Sequence, residues 1–388
     1  MPVSRTTGSP NAPRYLAAAA WLLVFVLVVV LSHRWLGRSF RVYQAAGGHW
    51  LHQQPLYDTR TIEGFQYFPQ AAMLMAPFAW LGQPLGGLAW RALWWTLYGA
   101  GMARVVTRVA PQQAPIGFLI ASALAVGSGT GALSNGQANL AVAGLLLHAT
   151  AELVDERWWR ATAVLAFGVA LKPLMAVPLL LAWAVYPRLR WRLPLALVVA
   201  LVAPWLTARH VYVVDQYRAC VIKLRVASDP GGLYEDLRGL LASAGWRIPH
   251  FTYVVVRMVA AVATVAVSMR ARRLGPAQAA VVIAGLAAGY LMLFNPRTQS
   301  TSYVIAAAPA AVLAAAHLLE RRRANAAPLM AVVLVWMVSY HDVAAIQFWL
   351  KPLGAIVFLA SLLHVIWRPP ATWVAATPIV DGVGSVDG

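Results

Sequence analysis

The chain has 388 residues, of which 60% are hydrophobic and only 11% charged, whereas soluble domains run near 45–50% apolar and about 25% charged. This composition excludes a cytosolic enzyme, a secreted domain and a disordered chain, because long uncharged stretches recur from end to end. The net charge of +18 sits in short arginine clusters between apolar runs, the pattern of loops held on the cytoplasmic side and drawn to anionic headgroups. No basic stripe alternates with aromatics as in a nucleic-acid surface, so no nucleic-acid partner is expected.

In chain order, residues 1–14 form a polar cytoplasmic segment with Arg5 and Arg14. The apolar run 15–32 lacks a small-residue cleavage site and reads as a retained first span. The loop 34–65 then faces outward, and within it Phe40, Tyr43, Gly47, Trp50 and Leu51 share one helical face, as an interfacial helix requires. Further apolar runs lie near 66–83, 86–104, 114–130, 138–154, 160–187, 193–208, 251–269, 276–294, 302–319, 327–341 and 349–367. At about 20 residues per crossing they predict roughly twelve transmembrane helices. The run 160–187 contains Lys172-Pro173, which predicts either a kink or two short half-helices.

Three clusters, Arg188/Arg190/Arg192, Arg270/Arg272/Arg273 and Arg321/Arg322/Arg323, mark cytoplasmic turns and place the loop 209–250 outside. In 212–226, Val213, Val214, Tyr217, Cys220, Val221 and Leu224 form an apolar stripe opposite Asp215, Arg218, Lys223 and Arg225. Between 84 and 187 the direction of the chain stays open: Arg104 and Arg108 fall outside if every run crosses once, and a re-entrant segment would restore parity. The expectation is an all-α polytopic integral membrane protein with one transmembrane domain, 15–367, and an uninformative tail, 368–388.

The acids can be surveyed almost completely, since there are 13. Outward candidates are Asp58 and Glu63 in the first loop, Asp215, Asp229, Glu235 and Asp236 in the second, and Asp342 beside His341 in the last. Glu152, Asp155 and Glu156 adjoin Arg157 and Arg160 and read as a solvated loop. Lone Cys220 permits no internal disulfide and no cysteine-based metal site, and no Walker loop, HExxH, GxSxG or DxD occurs, so neither metal nor cofactor is expected. Lys172 is far from either end of its apolar run, where a cation needs an anion or a water-filled cavity; the alternatives are an anion ligand or a snorkelling, bundle-buried lysine. Asn135, Gln137 and Asn139 in LSNGQANL bring three amides between two apolar runs, suited to sugar hydroxyls or to helix capping. Arg297 in FNPRTQSTSY suits bidentate phosphate contact or ordinary interfacial snorkelling, and Tyr67 belongs to an aromatic-proline entry, GFQYFPQ, of the second run.

Taken together, SFRVYQAAGGHWLHQQPLYD, FQYFPQAAML, LSNGQANLAVAGLLL, ALKPL, VDQYRACVIKL and FNPRTQSTSY resemble, in order and spacing, glycosyltransferase family 87 (DUF2029), the polyprenyl-phosphate-mannose-dependent membrane mannosyltransferases. The resemblance covers roughly 15–367. It implies a GT-C-like bundle with outward interfacial helices, in the plasma (inner) membrane of a bacterial cell with its active face outward. It also implies transfer of a hexose, mannose by expectation, from a polyprenyl-phosphate donor to a lipid or glycan acceptor among membrane lipids. In that chemistry a first-loop carboxylate deprotonates the acceptor and cations hold the leaving phosphate. Lys172 and Arg297 fit the phosphate role, and Asn135, Gln137, Asn139, Tyr67, His341 and Asp342 the sugar or lipid head. Ser39 stands where the family has its catalytic aspartate and Gln299 where relatives carry glutamate, which leaves Asp58 and Glu63 as replacement bases. The alternative is a catalytically weakened relative that binds or transports polyprenyl-phosphate lipids.

Overall fold

The computed structural model describes residues 11–32, 37–227, 233–338, 343 and 346–374. Among these residues are sixteen α-helices. Seven helical stretches are both long and apolar enough to cross a membrane, and four more are shorter apolar helices. The chain is an all-α polytopic membrane protein.

The first helix, α1 (Ala12–Leu31), leads to α2 (Arg38–Leu51) and α3 (Pro69–Trp80). The two latter helices lie antiparallel. Phe40 and Phe78 meet the same Trp90 ring, at 6.3 and 5.2 Å, and a Cβ added to Gly47 would stand 2.7 Å from the Met75 carbonyl oxygen. The expected span at 66–83 is therefore not a crossing. Both ends of α3 stay beside α2 and the start of α4, since Tyr67 just before it meets Tyr43 and Phe78 near its close meets Trp90, and glycine at 47 lets α3 lie along α2.

The next three helices, α4 (Leu85–Val109), α5 (Ala114–Asn135) and α6 (Asn139–Val154), run up, down and up between two ends of the bundle. At one end the Arg91 guanidinium donates to the carbonyls of Leu133, Gly87 and Ser134. At the other, Arg104 meets Glu152 at 2.6 Å and Arg108 meets Asp155 at 2.5 Å. These acids, expected in a solvated loop, are thus partners of the arginines on α4.

The run 160–187 divides into α7 (Trp158–Leu171) and α8 (Ala176–Val185). Proline at 173 lacks an N–H and pushes residue 172 out of helical geometry, and Lys172 is extended, with φ −150° and ψ 123°. The chain then reverses: Trp158 faces Tyr186 at 6.1 Å, and a Cβ on Gly168 would lie 2.8 Å from Met175. The result is a helical hairpin rather than one kinked span.

Beyond it, α9 (Arg192–Val202) returns to α10 (His210–Ala227) and α11 (Leu237–Ser243). The remaining helices, α12 (His250–Ala271), α13 (Pro276–Phe294), α14 (Val304–Leu319), α15 (Arg323–Met337) and α16 (Lys351–Trp367), alternate in direction. Tyr253 binds the Leu293 carbonyl at one end, and Arg270 covers Trp367 at the other. Among the described residues, α1, α4–α9 and α12–α16 connect the two ends. Seven of the stretches in this set are long and apolar enough to span by themselves, against roughly twelve expected; α3 leaves the set and 160–187 supplies two members. With this membership every arginine cluster, together with Arg104 and Arg108, falls at one end. The long loops and α2, α3, α10 and α11 gather at the other, the loop end. Inside the bundle, α14 is buried from Val304 to His317; its run of alanines lets neighbouring backbones approach closely, as helix packing in lipid requires.

Candidate functional site

The hairpin reversal decides where Lys172 stands. It is not deep within a span but at the α7–α8 tip, level with the start of α6, and it is half-buried. Its ammonium donates to Asn139 Oδ1 and lies 5.6 Å from the centre of the Tyr67 ring. An ammonium has three donors, and Asn139 is its hydrogen-bond partner among the described residues. Asn139 is held in turn: its Nδ2 donates to Gln137 Oε1 at 2.9 Å and lies 3.4 Å from Thr301 Oγ1. Thr301 also donates to Gln137 Oε1, and Gln137 Nε2 is 3.5 Å from Gln299 Oε1. Gln299 and Ser302 cap the turn Ser300–Tyr303 reciprocally, which presents Thr301 to the amides. Asn135 does not join them. It closes α5 ahead of Gly136, whose φ of 63° ends the helix.

Tyr67 and Tyr43 share a hydrogen bond of 2.9 Å, and the Tyr43 hydroxyl also lies 3.4 Å from the Ala138 nitrogen. Ser39 is one turn before Tyr43 on α2, on the same face. The neighbouring Phe40 is so close to Gly136 that a Cβ there would meet it at 2.9 Å. Ser39, expected from the resemblance at the place of a catalytic aspartate, thus lies on α2 beside Phe40 and on the face that bears Tyr43.

Arg297 donates to Gln66 Oε1 and lies 3.4 Å from the Ile62 carbonyl oxygen, so it touches the loop that carries Asp58 and Glu63. That loop is shaped by Lys223, whose ammonium donates to the carbonyls of Asp58 (2.8 Å), Thr61 (2.6 Å) and Glu63. Lys223 was expected on the polar face of its helix; it is instead fully buried, because three carbonyls replace its water. Its one sequence signal is rarity, since the chain has only three lysines, Lys172, Lys223 and Lys351. The Asp58 carboxylate accepts from the Arg60 N–H at 2.9 Å and the Thr61 hydroxyl at 3.1 Å, and these bonds hold its pKa below the usual carboxylate value. Glu63 is exposed beside Gly64, whose φ is 84°.

Glu235, one of several outward acids in the sequence, is buried behind this cluster. It accepts from Ser300 Oγ at 2.6 and 2.7 Å and faces Lys351 Nζ at 3.7 Å, while its carbonyl accepts from Tyr303 at 2.9 Å. It braces the turn that holds Thr301. His341 and Asp342 lie outside the described residues.

The arrangement unites a half-buried ammonium, a guanidinium on the adjoining loop, and amides and hydroxyls fixed by mutual hydrogen bonds. Cations of this kind stabilise a phosphate that gains charge as its ester bond breaks, and amides orient sugar hydroxyls. A curated relative from Mycobacterium tuberculosis, a polyprenol-phosphate-mannose-dependent alpha-(1-2)-phosphatidylinositol mannoside mannosyltransferase, is 30% identical over 199 residues, which cover 45% of this chain. The match spans 47% of that relative's own length, about half. The sequence profile of glycosyltransferase family 87 matches residues 65–296. That span contains Tyr67, the three amides and Lys172 and stops one residue short of Arg297, while Ser39, Asp58 and Glu63 precede it. Matched over more than half its length, on an all-α membrane scaffold that gathers those residues at one end, the chain belongs to glycosyltransferase family 87.

Proposed function

We propose that the protein is a membrane glycosyltransferase that moves a hexose, mannose by analogy with its relative, from a polyprenyl-phosphate donor to a lipid or glycan acceptor at the outward face of a plasma membrane. The observation that carries this reading is the convergence at one end of the bundle of Lys172, Asn139, Gln137, Tyr67 and Arg297, from segments distant in sequence. The family profile supports the reaction class, and the mannosyltransferase relative supports the donor.

In this mechanism the acceptor hydroxyl attacks the anomeric carbon, its proton passes to a carboxylate, and the sugar–phosphate C–O bond breaks with its electron pair left on the phosphate. Lys172 and Arg297 hold that phosphate. Asn139 and Gln137 orient the sugar or lipid head, and Tyr67 supplies a wall beside the ammonium. Glu63 is the better placed base: the oxygens of Asp58 are engaged in capping their own loop, whereas Glu63 is exposed next to the residue whose carbonyl faces Arg297. Ser39, a hydroxyl where the family resemblance places a carboxylate, favours a second reading in which the protein binds or transports polyprenyl-phosphate lipids without transfer.

Purified protein given radiolabelled polyprenyl-phosphate mannose and membrane lipid extract separates the two. Label in a new glycolipid supports the transferase. Saturable binding without transfer supports the second reading, and neither binding nor transfer refutes both.

A further inference from the structure

A cavity of about 450 Å³ opens at the loop end between α11 and the start of α12, a volume suited to a lipid head or a small ligand. Tyr234 and Pro296 stand in its wall, and the Tyr234 ring lies 5.8 Å from Arg297, so a partition one residue thick separates it from the phosphate-holding arginine. Three guanidiniums line the cavity, those of Arg238, Arg247 and Arg257, against one carboxylate, Asp236. One oxygen of that carboxylate is already taken by the Gly239 N–H at 2.8 Å. The lining thus carries an excess of two positive charges. In addition, the Nε of Arg257, a residue of the lining, is buried with no hydrogen-bond partner among the described residues, an unfavourable state. Guanidinium forks match phosphate oxygens two at a time.

Trp246 in the lining is 70% exposed, and Phe251, which follows the lining residue His250, is 78% exposed. From Phe251 the uncovered side of α12 continues through Val255, Met258, Val259 and Val262, all exposed. Helical spacing places these residues on one stripe leading away from the arginines. Because α12 is one of the membrane-crossing helices, this stripe faces lipid, so the cavity opens beside the acyl chains of the surrounding leaflet.

We propose that this cavity binds the phosphate-bearing head of an anionic membrane lipid, whose acyl chains lie along the exposed face of α12. The site uses none of the residues of the Lys172 cluster and stands independently of the transferase reading.

Native mass spectrometry of the full-length protein in detergent tests it, with phosphatidylglycerol, phosphatidylcholine of the same acyl chains, and soluble glycerol phosphate as probes. The wild type retains one phosphatidylglycerol at least about tenfold more strongly than phosphatidylcholine, and the Arg238→Ala/Arg247→Ala double variant loses about tenfold or more of that affinity, as loss of charge-assisted bonds predicts. Arg209→Ala, which removes an exposed arginine of the same loop end, and Lys172→Gln both retain the lipid. If the double variant does not fold, Arg247→Glu, at an exposed position, carries the same comparison. Equal retention of the two lipids, undiminished binding by the arginine variants, or displacement of phosphatidylglycerol by equimolar glycerol phosphate overturns the proposal; the last result indicates a soluble phosphate ligand instead.

Discussion

Lys172 carries both a structural bond and a charge, and two substitutions separate them. In Lys172→Gln the amide still donates to Asn139 Oδ1, the bond the ammonium makes now, but the charge is gone; Lys172→Met removes both. With one of three donors on Asn139, at least one remains for a donor phosphate. A hydrogen bond from a charged group contributes roughly 1.5–3 kcal/mol, and each 1.36 kcal/mol is about tenfold in rate. Because Lys172 is only half-buried, solvent screening favours the lower part of that range. We expect Lys172→Gln to lower kcat/KM for a labelled polyprenyl-phosphate hexose by about tenfold or more with its melting temperature preserved, and Lys172→Met to lower kcat/KM by at least as much while losing thermal stability. The assay is initial-rate transfer at saturating acceptor, with a thermal melt in the same detergent. If Lys172→Gln keeps kcat/KM within twofold while Lys172→Met alone fails, the ammonium is a structural strut and its phosphate role is refuted.

Lys223→Met should free the loop from Asp58 to Glu63, because three carbonyls lose their shared donor; faster amide exchange across 58–66 reads this out, and unchanged exchange contradicts it. Glu63→Gln should lower kcat by about 10²–10⁴-fold, the range for loss of a general base, and adding Ser39→Asp should restore part of the turnover; equal rates for wild type and Glu63→Gln exclude Glu63. The depressed pKa of Asp58 makes its capping contribution complete above the unfolded carboxylate value and lost only as pH falls through the lower folded one. Asp58→Ala should therefore lower the melting temperature at neutral pH, and the difference from wild type should shrink as pH falls through the folded value; a difference that is the same at all pH contradicts the capping role. Glu235→Ala should destabilise by about 3–5 kcal/mol, since it leaves Lys351 buried and unpaired. Adding Lys351→Met should recover much of that loss, whereas additive losses would show that the pair is not coupled.

Much of the candidate cluster at the loop end was readable from residue chemistry. Lys172, Asn139, Gln137, Tyr67 and Arg297 were identifiable because a cation, paired amides and an arginine at helix boundaries stand out in a chain with so few polar residues. Glu235 and Lys223 were not, because nothing in an acid on a loop or a lysine on an amphipathic face reveals that serine, lysine and backbone carbonyls from far along the chain will replace its water. Asp58 and Glu63 could not be ranked for the same reason. Which of two neighbouring carboxylates is already engaged depends on the local turn, and Lys223, about 160 residues away, shapes that turn.

The sequence by itself determined that the chain lives in a membrane, that it is helical, where its apolar runs lie, that Lys172-Pro173 interrupts one of them, and which turns collect arginine. These are local properties: hydrocarbon length, the missing proline N–H and the cost of burying guanidinium act on residues near one another in the chain. Only the tertiary structure decided that α3 lies along α2 instead of crossing, that α7 and α8 fold back as a hairpin, and that Lys172 stands at the loop end with Arg297 on the adjoining loop. A broken helix is equally broken whether its second half goes forward or returns. The choice is made by packing between segments distant in sequence, such as Met75 on Gly47, Met175 on Gly168 and Trp158 on Tyr186.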